Sequence, residues 1–243
     1  MLMSILRSQN LDIFQVLMYI LSVLIIIFLV NPLHECAHGF VAYKLGDRTA
    51  KNMGRLTLNP IAHMDYMGAV TMLLVGFGWA KPVPINPRNF KNPKVGMALT
   101  ALAGPLANFL AAIVGGLILN GLLTIMIKSS VMIYIPEANL LYVSPSFHAM
   151  EYVFMFLQYF MLINVCLAVF NLIPCPPLDG SKILMMLLPD HLILKMQQYQ
   201  MYFSIGLMVL ILAGGLSNIL SPIQDWFYNG INWLTRLPFS WAW

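Results

Sequence analysis

His34-Glu35-Cys36-Ala37-His38 is the stretch of this chain whose residue types and spacing can do chemistry. On an α-helix, residues four apart stand one turn above each other on one face. Two imidazoles so placed can converge on a divalent ion at the roughly 2.0–2.1 Å typical of zinc. Glu35, beside them, is placed as general base for an attacking water, which is the H-E-x-x-H arrangement of zinc hydrolases. Two imidazoles do not complete a catalytic site, which takes three protein ligands and an open position. Asp179 is the candidate third ligand. It ends the run Asn171-Leu-Ile-Pro-Cys-Pro-Pro-Leu-Asp179-Gly180, whose three prolines unwind a helix and present one carboxylate. Plainer roles exist for both groups: His34, Glu35 and His38 closing a helix at a membrane surface, and Asp179-Gly180 capping the helix that follows.

The elements that must position these residues are set by an unusually apolar composition. Of 243 residues, 60% are hydrophobic and 9% charged, against roughly a quarter charged in a soluble domain. The mean hydropathy is +0.78. A soluble globular fold and a disordered chain are both excluded, and a multi-span membrane protein is expected. Four uncharged runs, bounded by Asp12 and Glu35, Lys94 and Lys128, Glu151 and Asp179, and Lys195 and Asp225, each exceed the about 20 residues that cross a bilayer as a helix. The second run is too long for one straight span, so part of it lies outside the hydrocarbon or the helix breaks, with Gly104-Pro105 the expected break. Tyr66 to Ala80 is short and carries Gly68, Gly76 and Gly78, which predicts a re-entrant or interfacial segment. Pro82, Pro84 and the stretch Asn86 to Pro93 predict a loop or edge strand. The N-terminal apolar stretch, with no small-residue cleavage signal after it, reads as retained.

Of the 13 Lys and Arg, ten between Lys44 and Lys195 fall on one side of this layout, and only Arg7, Lys128 and Arg236 on the other. That asymmetry makes the first side cytoplasmic and leaves both chain ends outside, with the active site toward the cytoplasm. The charge of +4 is thereby a topology signal, and no nucleic-acid partner is expected. Trp226, Trp233, Trp241 and Trp243 crowd the last 18 residues, predicting an interfacial tail over 221–243 behind a core of about 12–220 in a single membrane-embedded domain. The fold class expected is all-α and polytopic, with about four long transmembrane helices and a re-entrant or short β segment on the cytoplasmic side. Three cysteines at irregular spacing give no disulfide framework. His63 reads as a polar loop residue more than a ligand, and Cys175 as a packing residue.

With both signatures present, H-E-x-x-H and N-x-x-P-x-P-x-L-D-G, the chain resembles the site-2 protease family of intramembrane zinc metalloproteases, in the compact subgroup without PDZ or CBS modules. The resemblance covers about residues 12 to 220. It implies one zinc ion held by His34, His38 and Asp179, Glu35 as catalytic base, and cleavage of peptide bonds in transmembrane segments of membrane proteins, in the plasma membrane. It also implies that Arg55 to His63 and Lys81 to Pro93 form membrane-associated strands and a re-entrant loop near the site. For the oxyanion, the intramembrane amides Asn171 and Asn108 are the candidate donors, with helix-to-helix bonding as the plainer role of each. An extended substrate would add as a strand along Leu56 to Leu58 or Val83 to Ile85. A metal transporter and an inactive membrane scaffold are the alternatives. The first would need carboxylates or histidines along several spans, and the second has no use for Glu35.

Overall fold

Three helices carry the longest apolar runs, and their sequences explain how each is shaped. The first begins as α1 (Ile13–Ile25), passes through a π turn (Ile26–Val30) and continues as α2 (Asn31–Lys44). Pro32 has no N–H, and its ring would collide with the carbonyl one turn back. The widened turn absorbs this, with the Asn31 N–H reaching back five residues to the Ile26 carbonyl. The metal-binding pattern sits directly beyond that turn. The computed structural model describes residues 13–75, 78–129, 132–135, 140–143 and 149–242. Arg7, Asp12, Gly76 and Trp243, named above, lie outside these.

Beyond α2 come two single turns, α3 (Thr49–Asn52) and α4 (Pro60–His63), and then α5 (Tyr66–Val75). From Gly78 the chain returns extended along α5. A β-carbon on Gly68 would run into the Trp79 carbonyl, and one on Gly78 into the Gly68 carbonyl. The two backbones therefore touch, and only glycine fits at either crossing. The helix and its extended return thus lie against each other over the stretch where the sequence predicts a re-entrant or interfacial segment. The return, through Ile85, is extended but pairs with no strand among the described residues.

The central helix, α6 (Pro93–Lys128), runs unbroken for 36 residues with Pro105 inside it. The expected break at Gly104-Pro105 is absent. Proline costs this helix the bond to the Ala101 carbonyl, but α6 is packed against the flanking helices and continues as a helix through it. At about 1.5 Å per residue it is longer than the roughly 30 Å hydrocarbon layer. Buried small residues, among them Ala98, Ala101, Gly104, Ala112, Gly115 and Gly116, bring its neighbours close, as in membrane helix packing. A short antiparallel pair, β1 (Met132–Ile135) with β2 (Leu140–Val143), follows α6, so the strand pairing lies between the second and third long helices rather than at Lys81 to Pro93. Then comes α7 (Ala149–Asn171), which shares with α6 a core that includes Leu119, Phe154, Met161 and Val165.

The fourth apolar run does not make one helix. It is divided into α9 (Asp190–Gln198), α10 (Gln200–Leu212) and α11 (Ser217–Arg236), after a short α8 (Asp179–Leu187). Gly214, at φ +71°, turns the chain between α10 and α11. Three helices, Val16–Lys44, Pro93–Lys128 and Ala149–Asn171, are thus long and apolar enough to cross a membrane, and Gln200–Ile211 is apolar but shorter. The tail packs lengthwise against α6. Phe227 stacks on Phe109 at 4.8 Å, Thr235 accepts a bond from Asn120, and Trp241 covers the Lys128 ammonium at 3.3 Å. Ile231 and Thr235 are buried, while Trp226, Trp233 and Trp241 are exposed.

Candidate metal centre

Helix α2 presents His34 and His38 on one face, with their rings edge to face at 4.7 Å. The chain after α7 folds back on that helix's own end. A β-carbon on Gly180 would strike the carbonyls of Leu172 and Ile173, so the Asp-Gly pair fits only as it is. That reversal sets Asp179 in the first turn of α8, where the helix dipole favours a carboxylate. The far end of α8 is tied to α6 by Lys94, whose ammonium donates to the Leu188 carbonyl at 2.9 Å and pairs with Asp190 at 2.8 Å.

The three side chains meet. His34 Nε2 and His38 Nε2 are 3.1 Å apart, and Asp179 Oδ2 lies 3.4 Å from the first and 3.1 Å from the second. The His34, Glu35 and His38 ligand atoms lie within 4.8 Å of one another. Bonds of 2.0–2.1 Å to a tetrahedral ion imply ligand-to-ligand distances of about 3.3 Å, so the triangle has the right size for zinc. Proton placement agrees. His38 Nδ1–H donates to the Thr100 carbonyl at 2.7 Å, and His34 Nδ1–H donates to Asn108 Oδ1 at 3.2 Å. Each Nε2 therefore offers a lone pair toward its neighbour and toward a carboxylate oxygen, an arrangement that repels itself unless a cation lies between them. The residues fit a divalent metal.

Asp179 divides its two oxygens. Oδ2 faces the imidazoles, and Oδ1 accepts from the Lys182 ammonium at 3.0 Å. The Lys182 charge beside it favours the ionised carboxylate that a metal ligand must be. Glu35 stands beside the ligand face, its carboxylate within 4.8 Å of the imidazole nitrogens, and its Oε2 accepts from the Val83 N–H at 2.9 Å.

These groups open on a cavity of about 370 Å³. One wall is the extended return, with Trp79, Ala80, Val83 and Ile85. Asn171, Lys182 and the α10 residues Ser204, Leu207 and Met208 line it too. Asn171 lines this space with its amide donating to the Leu167 carbonyl at 3.0 Å. Asn108 also borders it, but its carbonyl oxygen is occupied behind His34. Leu56 to Leu58 do not line the cavity. They form a turn closed by His63, which is buried and donates from Nε2 to the Thr57 carbonyl at 2.8 Å, so His63 is a brace and not a loop residue in solvent. Cys175 donates to the Pro176 carbonyl.

Sequence reasoning missed Thr100, Gly104 and Lys182 as parts of the site, and named Val83 and Arg55 only within segments beside it, without the bonds they make. For Gly104 a signal existed, because Gly104 and Asn108 share one face of α6, one turn apart. Thr100 and Val83 act through backbone atoms, which leave no mark in residue type.

Comparison with known proteins agrees with this geometry. The sequence model of peptidase family M50 matches residues 19–213. A protein of Bacillus subtilis (strain 168) named "Putative zinc metalloprotease YwhC" is 37% identical over 207 residues, covering 85% of this chain and 86% of that one. No solved structure matches.

Proposed function

The chain belongs to peptidase family M50 and is a zinc metalloprotease, and from that premise we propose that it is an endopeptidase of the site-2 type, cutting peptide bonds in or near transmembrane segments of membrane proteins. The single observation carrying this reading is the triangle of His34, His38 and Asp179 beside Glu35, with both histidines on a helix long and apolar enough to cross a membrane. Zinc held by these three residues supplies a Lewis acid for the scissile carbonyl. Glu35 takes the proton of the attacking water and passes it to the leaving nitrogen. Asn171, facing the cavity, swings its amide from the Leu167 carbonyl to the developing oxyanion. Asn108, the other candidate oxyanion donor, holds the His34 ring instead.

A helical substrate hides its amides in its own hydrogen bonds and must be held extended. Ala80 and Ile85 border the cavity, and their backbone groups have no partner among the described residues. They offer an edge for strand addition. In the same reading the chain crosses the plasma membrane four times, α10 making the last crossing, with both ends outside. The loops bearing the ten cations then face the cytoplasm, with the active site toward that side.

Glu35→Gln tests the proposal. In reconstituted membranes the variant should keep one zinc per chain and lose cleavage of a membrane-segment substrate that the wild type cuts. Cleavage by Glu35→Gln at the wild-type rate, or a wild type that cuts only soluble peptides, would overturn it.

A further inference from the structure

Arg55 has no place among the metal ligands and makes no ion pair among the described residues. Its guanidinium is spent on main chain. Nη2 donates to the Lys81 carbonyl at 2.9 Å and the Pro82 carbonyl at 3.2 Å. Gly54, at φ +65°, turns the chain so that this side chain reaches the return segment. From the same loop, the His63 carbonyl accepts the Lys81 N–H at 2.7 Å, and the His63 ring is itself tied to Thr57. Farther along, the Asn86 N–H donates to Asp47 Oδ2 at 2.7 Å.

Between these anchors stands Pro82-Val83-Pro84. The flanking prolines have no N–H and fixed φ, so Val83 carries the one amide of the three that can donate. That amide holds Glu35 Oε2. We propose that Arg55 is a positioning residue for Glu35: by clasping the Lys81 and Pro82 carbonyls it sets the height of the Val83 amide, and with it the carboxylate that acts as base. The segment that receives an extended substrate and the base that attacks it then move as one piece. One oxygen of Glu35 is fixed by the segment, leaving the other for water. Both bonds leave the one nitrogen, and lysine would keep the charge at position 55 but on a shorter stem with a more strongly hydrated head.

This inference takes the role of Glu35 from the function proposed above, and its test separates the two. In the full-length reconstituted protein, amide hydrogen exchange of a peptide spanning residues 79–86 is followed alongside zinc content and the kcat and KM for a membrane segment cut by wild type. Arg55→Ala should keep one zinc per chain and speed exchange by about tenfold to a hundredfold, the loss of a charged hydrogen bond. It should lower kcat more than it raises KM. Arg55→Lys should recover part of both effects. Glu35→Ala should also speed exchange, and should add little in the Arg55→Ala background. Unchanged exchange in Arg55→Ala, or wild-type behaviour of Arg55→Lys, would overturn the inference. A wild type that cuts no membrane segment while exchange still responds to Arg55 would refute the proposed function and leave the positioning role standing.

Discussion

Gly104 and His34 are so close that a β-carbon on the glycine would lie 2.5 Å from His34 Nε2, and nearer still to His38 Nε2. The helix behind the candidate metal centre is pressed flat against the two imidazole nitrogens placed to hold an ion. Gly104→Ala should therefore push both rings off the ligand triangle, costing about 1–3 kcal/mol of overpacking. Zinc should fall well below one per chain by elemental analysis, while circular dichroism still reports a helical protein. Full zinc occupancy in that variant would show that the rings have room to retreat.

Asn108 fixes the His34 ring from the side away from the ion. Asn108→Ala should weaken zinc binding by about 10- to 100-fold, the usual effect of losing such an outer hydrogen bond. Asn108→Asp, which keeps an acceptor at Nδ1, should retain most of it. Competition with a zinc chelator measures both, and equal affinities for the two variants would speak against a positioning bond.

Lys182 occupies the Asp179 oxygen that does not face the imidazoles. Lys182→Met should free that oxygen to join the other on the ion, crowding the position a water needs. In cobalt-substituted protein, the visible spectrum should change from four-coordinate intensity toward the weaker five-coordinate form, with reduced cleavage. An unaltered cobalt spectrum would mean that Lys182 does not set how Asp179 binds.

Asp47 gathers the amide of Asn86 and the side chain of Asn89 from the segment beyond the cavity wall, together with Thr49. Burial raises its pKa, but these hydrogen bonds outweigh it and hold the carboxyl below the usual range. A carboxyl depressed in the folded state stabilises above its unfolded pKa, near 4, and that stability is lost as pH falls through the lower folded value. Exchange over residues 79–90 should therefore rise as pH drops below about 4 in the wild type, after correction for the intrinsic pH dependence of exchange. In Asp47→Asn it should be high already at neutral pH and respond less to acid. Identical pH profiles would rule out Asp47 as the anchor.

Some of this was legible in the order of residues, because it depends on local spacing. His34 and His38 share a face by helix geometry alone, uncharged runs mark the long helices, and the Pro-rich Asn171 to Gly180 stretch marks a chain reversal. Gly104-Pro105 misled for the same reason. Local rules read it as a break, whereas packing on several sides keeps α6 whole and turns the glycine into the floor of the metal centre. The last apolar run also read as one span, and the turn at Gly214 splits it.

The amino-acid sequence by itself determined the candidate chemistry: two imidazoles and two carboxylates in the spacing of a zinc peptidase's ligands and base, in a chain too apolar for water. Only the tertiary structure decided what holds them in register. The Thr100 carbonyl, the Val83 amide and the clasp of Arg55 act through backbone atoms or across 26 to 62 positions. Every residue type carries the same amide and carbonyl, so their partners are chosen by where helices and turns come to rest, not by any letter in the chain.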